Sequence, residues 1–258
     1  MSKSNIIPLF IDPVDYRVEA FYFFDPFQET SLEMEAIINK LLLEYKGHLH
    51  ITKVLAPSLK VLTKCQAQST SNQDNIALAY KAAEVQGRMK ARKFMRFLFN
   101  RITPVNGICT SEMIEECAEL SGLDMSAFKE EVGSENLHIL LKRDLALYRE
   151  LEIEEHPTFV FFSGDVKEDG LKVEGIYDYY VYAHIIHEML GIDVKKKALP
   201  NIKDYIMKNE LVSFRELKTI YDWREGVLLN ELRRLEFEHV INRVKLVDTE
   251  YYKIAKTE

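Results

Sequence analysis

The chain of 258 residues contains only three cysteines, Cys65, Cys109 and Cys117. They are too few and too irregularly spaced for a disulfide framework or a C-x-x-C zinc site, and they read as ordinary reduced thiols. No apolar run approaches the roughly 18–20 residues that cross a bilayer. The start, Met1-Ser2-Lys3-Ser4-Asn5, leads only into Ile6-Ile7-Pro8-Leu9-Phe10, without the apolar region of a secretory signal. The expectation is a cytoplasmic protein with no membrane partner. No internal repeat is visible, which argues against a solenoid or propeller. An excess of positive charge is also missing, since 34 Lys and Arg face 41 Asp and Glu for a net −7. Apolar residues are plentiful, at 47% of the chain. That is enough for a sizeable core in one large domain or two smaller ones, so a disordered chain is excluded.

Val18 to Phe24 (V-E-A-F-Y-F-F) is a nearly continuous apolar run closed by Asp25-Pro26, which predicts a strand buried on both faces. Leu32 to Tyr45 carries Met34, Ile37, Ile38, Leu41, Leu42 and Tyr45 at spacings of three and four, an amphipathic helix ended by Gly47. Alternation from Leu49 to Leu55 predicts a second strand, and the three elements together make a parallel βαβ unit. From Ser69-Thr70-Ser71-Asn72 the pattern turns helical and stays so to about Glu152, punctuated by Gly87, Thr103-Pro104-Val105-Asn106-Gly107 and Gly122-Leu123-Asp124. Leu137, Leu141, Leu145 and Tyr148 form one stripe of the last helix. Thr158-Phe159-Val160-Phe161-Phe162 and Leu171-Lys172-Val173-Glu174 predict a hairpin, followed by a helix from Asp178 to Leu190. Residues 191–200, with Lys195-Lys196-Lys197, read as a linker. Beyond it come helical patterns at Ile202–Lys208, at Ser213–Tyr221 with Ser213 and Glu216 as its capping box, and at Arg224–Leu235. A terminal hairpin over 240–254 completes a winged-helix order, with Trp223 as the expected core anchor.

A βαβ unit, a helical insert over about residues 72–152 and a ββα unit follow the plan of the DsbA-like branch of the thioredoxin superfamily. The resemblance puts Phe27-Gln28-Glu29-Thr30-Ser31 where that branch carries its C-x-x-C at a helix N-terminus. It puts His156-Pro157-Thr158 where the branch carries a cis-proline loop. A closer resemblance comes from Ala56-Pro57-Ser58-Leu59-Lys60-Val61-Leu62-Thr63-Lys64-Cys65-Gln66-Ala67-Gln68-Ser69-Thr70-Ser71-Asn72 and the helical run Asp74 to Glu84 behind it. With Gly170-Leu171-Lys172-Val173-Glu174-Gly175 and the appended C-terminal module, this stretch resembles the SpxH (YjbH) adapter family of Gram-positive bacteria over nearly the whole chain. The resemblance implies an α/β fold, with a DsbA-like thioredoxin domain over residues 1–190 and a small winged-helix-like domain over residues 201–258. It implies a non-enzymatic adapter whose partners are the transcription regulator Spx and the ATP-dependent protease ClpXP, and which promotes Spx degradation under non-stress conditions. Some members carry C-x-x-C where this chain has Gln28-Glu29-Thr30-Ser31. Some carry a His/Cys-rich, zinc-binding N-terminus, whereas neither residue type precedes His48 here.

Thiol exchange needs a thiolate at the helix N-terminus and a resolving thiol three residues later. Gln28 and Ser31 supply neither, so no catalytic residue, cofactor or metal is assigned. The alternative is a thiol- or glutathione-dependent oxidoreductase or transferase that uses the Ser31 hydroxyl, for which no base is visible nearby. The candidate partner-binding residues are therefore Phe27, Gln28, Glu29, Thr30 and Ser31, facing His156, Pro157 and Thr158. For Pro157 and Thr158, fold maintenance is the stronger competing role. Cys65, Gln66 and Gln68 join them from the most characteristic loop, where they would equally brace the next helix.

The run Arg88–Arg101 holds six positive charges and no acid. Phe94, Phe97 and Leu98 bury one face of a helix there while Lys and Arg stems cover its flanks, with Glu112, Glu115, Glu116 and Glu119 near in sequence to neutralise it. Arg88 and Arg92 are the candidates for contact with an acidic partner surface. Nucleic acid is disfavoured, because residues 200–258 hold 11 basic and 11 acidic side chains and duplex affinity rests on phosphate neutralisation. Arg233-Arg234 on the candidate recognition helix is moreover flanked by Glu231, Glu236 and Glu238. His184 and His187, three apart on a helix, lack the further ligands of a metal site.

Overall fold

The computed structural model describes residues 18–25, 28–55, 72–102, 110–163, 170–191, 193–246 and 249–255. Strand β1 (Val18–Phe24) is central in a four-stranded sheet of order β2-β1-β3-β4, with β2 at Leu49–Leu55, β3 at Thr158–Ser163 and β4 at Leu171–Glu174. β1 runs parallel to β2, pairing Val18 with Leu49 and Phe24 with Leu55. It runs antiparallel to β3, pairing Phe23 with Thr158, and β3 forms the expected hairpin with β4. The apolar run of β1 is explained by its two covered faces. Val18, Ala20, Tyr22 and Phe24 enter the main core, while Phe23 packs on the opposite face with Val54, Ile153 and Val160.

Helix α1 (Glu29–Glu44) crosses from β1 to β2. It buries Met34, Ile38, Leu41 and Tyr45 against the sheet, and the Tyr45 hydroxyl donates to the Ala183 carbonyl at 3.2 Å. It begins at Glu29, three residues before the expected start. The insert comprises α2 (Asn72–Val85), α3 (Arg88–Ile102), α4 (Ser111–Leu120), α5 (Met125–Val132) and α6 (Glu135–Glu150). Thr110, Asp124 and Ser134 cap the last three through backbone N–H groups of the first turn. Helix α7 (Tyr179–Leu190) follows β4 and packs Tyr182 and Ile186 into the main core.

The C-terminal elements run α8 (Ile202–Asn209), β5 (Val212–Ser213), α9 (Phe214–Tyr221), α10 (Glu225–Phe237), β6 (Ile241–Leu246) and β7 (Thr249–Ile254). The strands form a separate sheet of order β5-β7-β6; the three helices and the terminal hairpin come in the expected order, and β5 adds a short strand between the first two helices. Their core contains Tyr205, Ile206, Leu217, Ile220, Leu228, Leu232 and Tyr252, onto which Leu43 of α1 also packs. Two expectations need correction here. Trp223 is 39% exposed and only leans on Tyr221 at 5.5 Å. Asp222 ends α9 in a left-handed conformation, at φ 53°, and turns the next residue outward, so Tyr205 and Tyr252 fill the centre instead. The capping box is only half formed, since Ser213 Oγ accepts from the Glu216 N–H at 3.2 Å but the Glu216 side chain turns into the protein.

Glu216 Oε1 accepts from Asn39 of α1 at 3.0 Å, from Arg96 of α3 at 2.9 Å and from the Tyr205 hydroxyl at 2.5 Å. Around it, Arg96 also donates to the Leu211 carbonyl, Lys93 pairs with Glu210 at 2.5 Å, Lys40 donates to the Thr219 carbonyl at 3.2 Å, and Arg215 pairs with Glu33. The linker is likewise fastened, since the Lys197 N–H donates to the Glu44 carbonyl at 2.8 Å and Lys196 Nζ to the Tyr179 hydroxyl at 2.8 Å.

Candidate functional site

The parallel and antiparallel pairings of β1 bring the start of α1 and the start of β3 to one end of the sheet. Gln28 is the N-cap of α1 but makes no side-chain capping bond. The Ser31 N–H donates to the Gln28 carbonyl at 3.1 Å. Beneath this turn the Tyr22 hydroxyl donates to the Ser31 carbonyl at 3.4 Å. Opposite, the His156-Pro157 bond is cis, and the Pro157 carbonyl accepts from the Gly175 N–H at 2.8 Å. The arrangement expected from the resemblance is thus present: a helix N-terminus beside a cis-proline loop.

The side chains differ in their access to solvent. Ser31, Pro157 and Thr158 are buried, and the Thr158 hydroxyl donates to the Glu155 carbonyl at 2.7 Å. The side chains of these three residues are enclosed by the protein. Gln28, Thr30 and His156 are half-buried and make up the reachable part. Glu29 opens α1. Phe27, Cys65, Gln66 and Gln68, together with Cys109, lie outside the described residues. His156 stacks on Tyr148 with centroids 5.7 Å apart. Burial lowers its imidazole pKa, which the Asp25 carboxylate partly opposes. The ring is therefore held neutral, and its Nε2 has no hydrogen-bond partner among the described residues.

The chemistry available at this surface is limited. A sulfur nucleophile is missing from both positions 28 and 31, and the Ser31 hydroxyl is buried without a hydrogen-bond partner among the described residues. Among those residues no group of three or more His, Cys, Asp or Glu is arranged to hold a metal ion. His184 is exposed and lies 4.0 Å from Glu188. No helix among them is long and apolar enough to cross a membrane.

The chain matches the family model described as thioredoxin over residues 21–184. Among solved structures it resembles the oxidoreductase DsbA from Xylella fastidiosa, at TM-score 0.51 and 14% identity, covering 70% of this chain and 90% of that one. It also resembles the thiol-disulfide exchange protein alpha-DsbA2 from Wolbachia pipientis, at TM-score 0.53 and 16% identity, covering 67% and 81%. The ClpXP adapter protein SpxH of Staphylococcus saprophyticus is 46% identical over 243 residues, which span 94% of this chain and 92% of the relative. The chain belongs to the SpxH family of ClpXP adapter proteins. The Staphylococcus aureus SpxH shows the same identity over 94% of this chain and 93% of its own length. The likeness to SpxH proteins therefore extends through the C-terminal elements, beyond the thioredoxin match.

Sequence reasoning on this SpxH-family chain missed a second feature. A cleft of about 1160 Å³ lies between α1, α3, the start of α7 and the C-terminal elements. Its residues are scattered through the chain, so no local motif marks it. The signal that was available was the cationic run of α3, which the structure divides in two. Lys93, Arg96 and Arg101 pair with Glu210, Glu216 and Glu116, two of these from the C-terminal elements and not from the insert. Arg88 is exposed at the start of α3, while Arg92 is half-buried and lines the cleft.

Proposed function

We propose that the protein is a non-enzymatic adapter that binds an Spx-type transcription regulator and promotes its degradation by ClpXP. The observation that carries this reading is the 46% identity to SpxH adapters over nearly the full length of both chains. The sheet-end geometry supports it, because a helix N-terminus and cis-proline loop without an accessible nucleophile can hold a polypeptide but cannot exchange its disulfides. An adapter needs no catalytic residue. A differential interaction of about 1–3 kcal/mol between hidden and accessible states of a partner's terminal segment changes protease engagement roughly 5–150-fold. The test is degradation of purified Spx by ClpXP with and without this protein, beside a direct binding titration and a variant lacking all three cysteines. Binding with accelerated degradation, retained in the cysteine-free variant, is the expected result. Absence of both refutes the reading, and turnover of a small disulfide or glutathione conjugate lost in Ser31→Ala would replace it with the oxidoreductase alternative.

A further inference from the structure

The wall of the cleft holds more acidic than basic side chains, yet its Arg92 is left without a carboxylate among the described residues. Burial lowers the pKa of the nearby Lys53 ammonium, Glu35 opposes that, and the charges of Arg92 and Arg96 lower it further. Two of these cations have carboxylates, Glu35 for Lys53 at 2.5 Å and Glu216 for Arg96 at 2.9 Å. Arg92 has none among the described residues. Its Nε is buried without an acceptor, although a guanidinium carries five donors and a half-buried cation is costly unless paired. The mouth of the same cleft presents Tyr180 at 65% and Tyr177 at 47% exposure, with Ile176 and Val181 also exposed. The Tyr180 hydroxyl donates to the Asp222 carboxylate at 2.8 Å and leaves the ring exposed, and exposed tyrosine rings are typical anchors for protein partners.

We propose that Arg92 is the anchor of a receptor cleft for a single acidic side chain carried on an apolar segment of the protein partner. The inference rests on the adapter reading and specifies what the partner must present. A carboxylate pairs with Arg92 and takes two parallel hydrogen bonds from its guanidinium. A free small anion would leave the tyrosine-lined mouth and most of a 1160 Å³ volume unused. A tract of several acids is disfavoured, because Glu33, Glu35, Asp178, Glu216, Asp222 and Glu250 also line the cleft. One acid flanked by apolar or aromatic residues fits both the deep cation and the mouth.

The test uses fluorescent ten-residue peptides that carry a central Glu flanked by Leu and Tyr, beside copies in which Gln or Lys replaces that Glu. Anisotropy titrations of the full chain should show the Glu peptide binding tenfold or more tighter than the Gln peptide, with the Lys peptide weakest. Arg92→Met, which keeps the aliphatic stem, should erase the difference between Glu and Gln, whereas Arg88→Met should preserve it. Equal binding of the Glu and Gln peptides overturns the proposal without requiring any variant of the protein. Displacement of the Glu peptide by free glutamate at equal concentration overturns it in favour of a small-anion site. If Spx binds wild type and Arg92→Met equally, this inference fails while the adapter reading stands. If Spx does not bind wild type at all, it is the adapter reading that fails.

Discussion

Replacing Glu216 by alanine should unfold the protein at distinctly lower denaturant concentration. The Glu216 side chain is 10% exposed and that of its Arg96 partner 13%. The Glu216 carboxylate raises the Arg96 pKa against the effect of burial, so the pair is a charged one. Removing one member of a buried pair leaves the other uncompensated and costs about 3–5 kcal/mol. The Asn39 amide and the Tyr205 hydroxyl lose the same acceptor, each worth roughly 1 kcal/mol net, part of which water entering the adjoining cleft restores. We expect a total of about 4–6 kcal/mol for Glu216→Ala and about 1–2 kcal/mol for Glu216→Gln, which keeps an acceptor oxygen for the uncharged donors. Arg96→Met combined with Glu216→Met should be less destabilised than either single change, since no buried charge is left over. Urea unfolding followed by far-UV circular dichroism and by the fluorescence of the single tryptophan, Trp223, is the assay, and the tryptophan reports on the C-terminal elements. A loss below about 1 kcal/mol for Glu216→Ala, or additivity of the two methionine changes, would refute the account.

Other perturbations test the sheet end and the hairpin. Ser31→Ala should raise the melting temperature, because it removes a buried hydroxyl without a partner among the described residues; a lower melting temperature would show that the hydroxyl is satisfied. The His156 pKa is depressed by burial. The unfolded chain therefore takes up a proton first, and the stability this histidine contributes is present above its ordinary value near 6.5 and lost as pH falls below it. His156→Phe, which keeps a ring against Tyr148, should lose less stability than wild type between pH 7 and pH 5.5, read as the difference between the two melting profiles. Gly170→Ala would bring a Cβ to within 2.6 Å of the Phe162 ring. The expected cost is about 1–3 kcal/mol, measured by urea unfolding, and a neutral result would mean that the ring yields freely.

Much of the fold was legible because its signals are local. The two-sided burial of β1 appears as an unbroken apolar run, and α1 shows its core face as a stripe at three and four residue steps. The helix over 214–221 announces itself through the Ser213 cap that the structure confirms. The cis-proline was legible only through family resemblance, since nothing in a His-Pro pair distinguishes the two isomers. Glu216 was misread for a physical reason. A Ser and a Glu three apart describe a capping box equally well whether the carboxylate folds back or is drawn inward by a distant arginine. Trp223 was misread because size alone does not say that a helix has just ended. Arg92 could be singled out only once its neighbours had found their carboxylates, and those come from parts of the chain more than a hundred residues away.

The fastening of Lys196 to the start of α7 and of Lys197 to the end of α1 leaves only Ala198, Leu199 and Pro200 between Lys197 and the cap of α8. So short a leash holds the C-terminal elements at an effective concentration in or above the millimolar range at their own docking face. Half-exposed ion pairs such as Lys93 with Glu210, too weak to recruit a free partner, suffice under that condition to keep the docked arrangement populated.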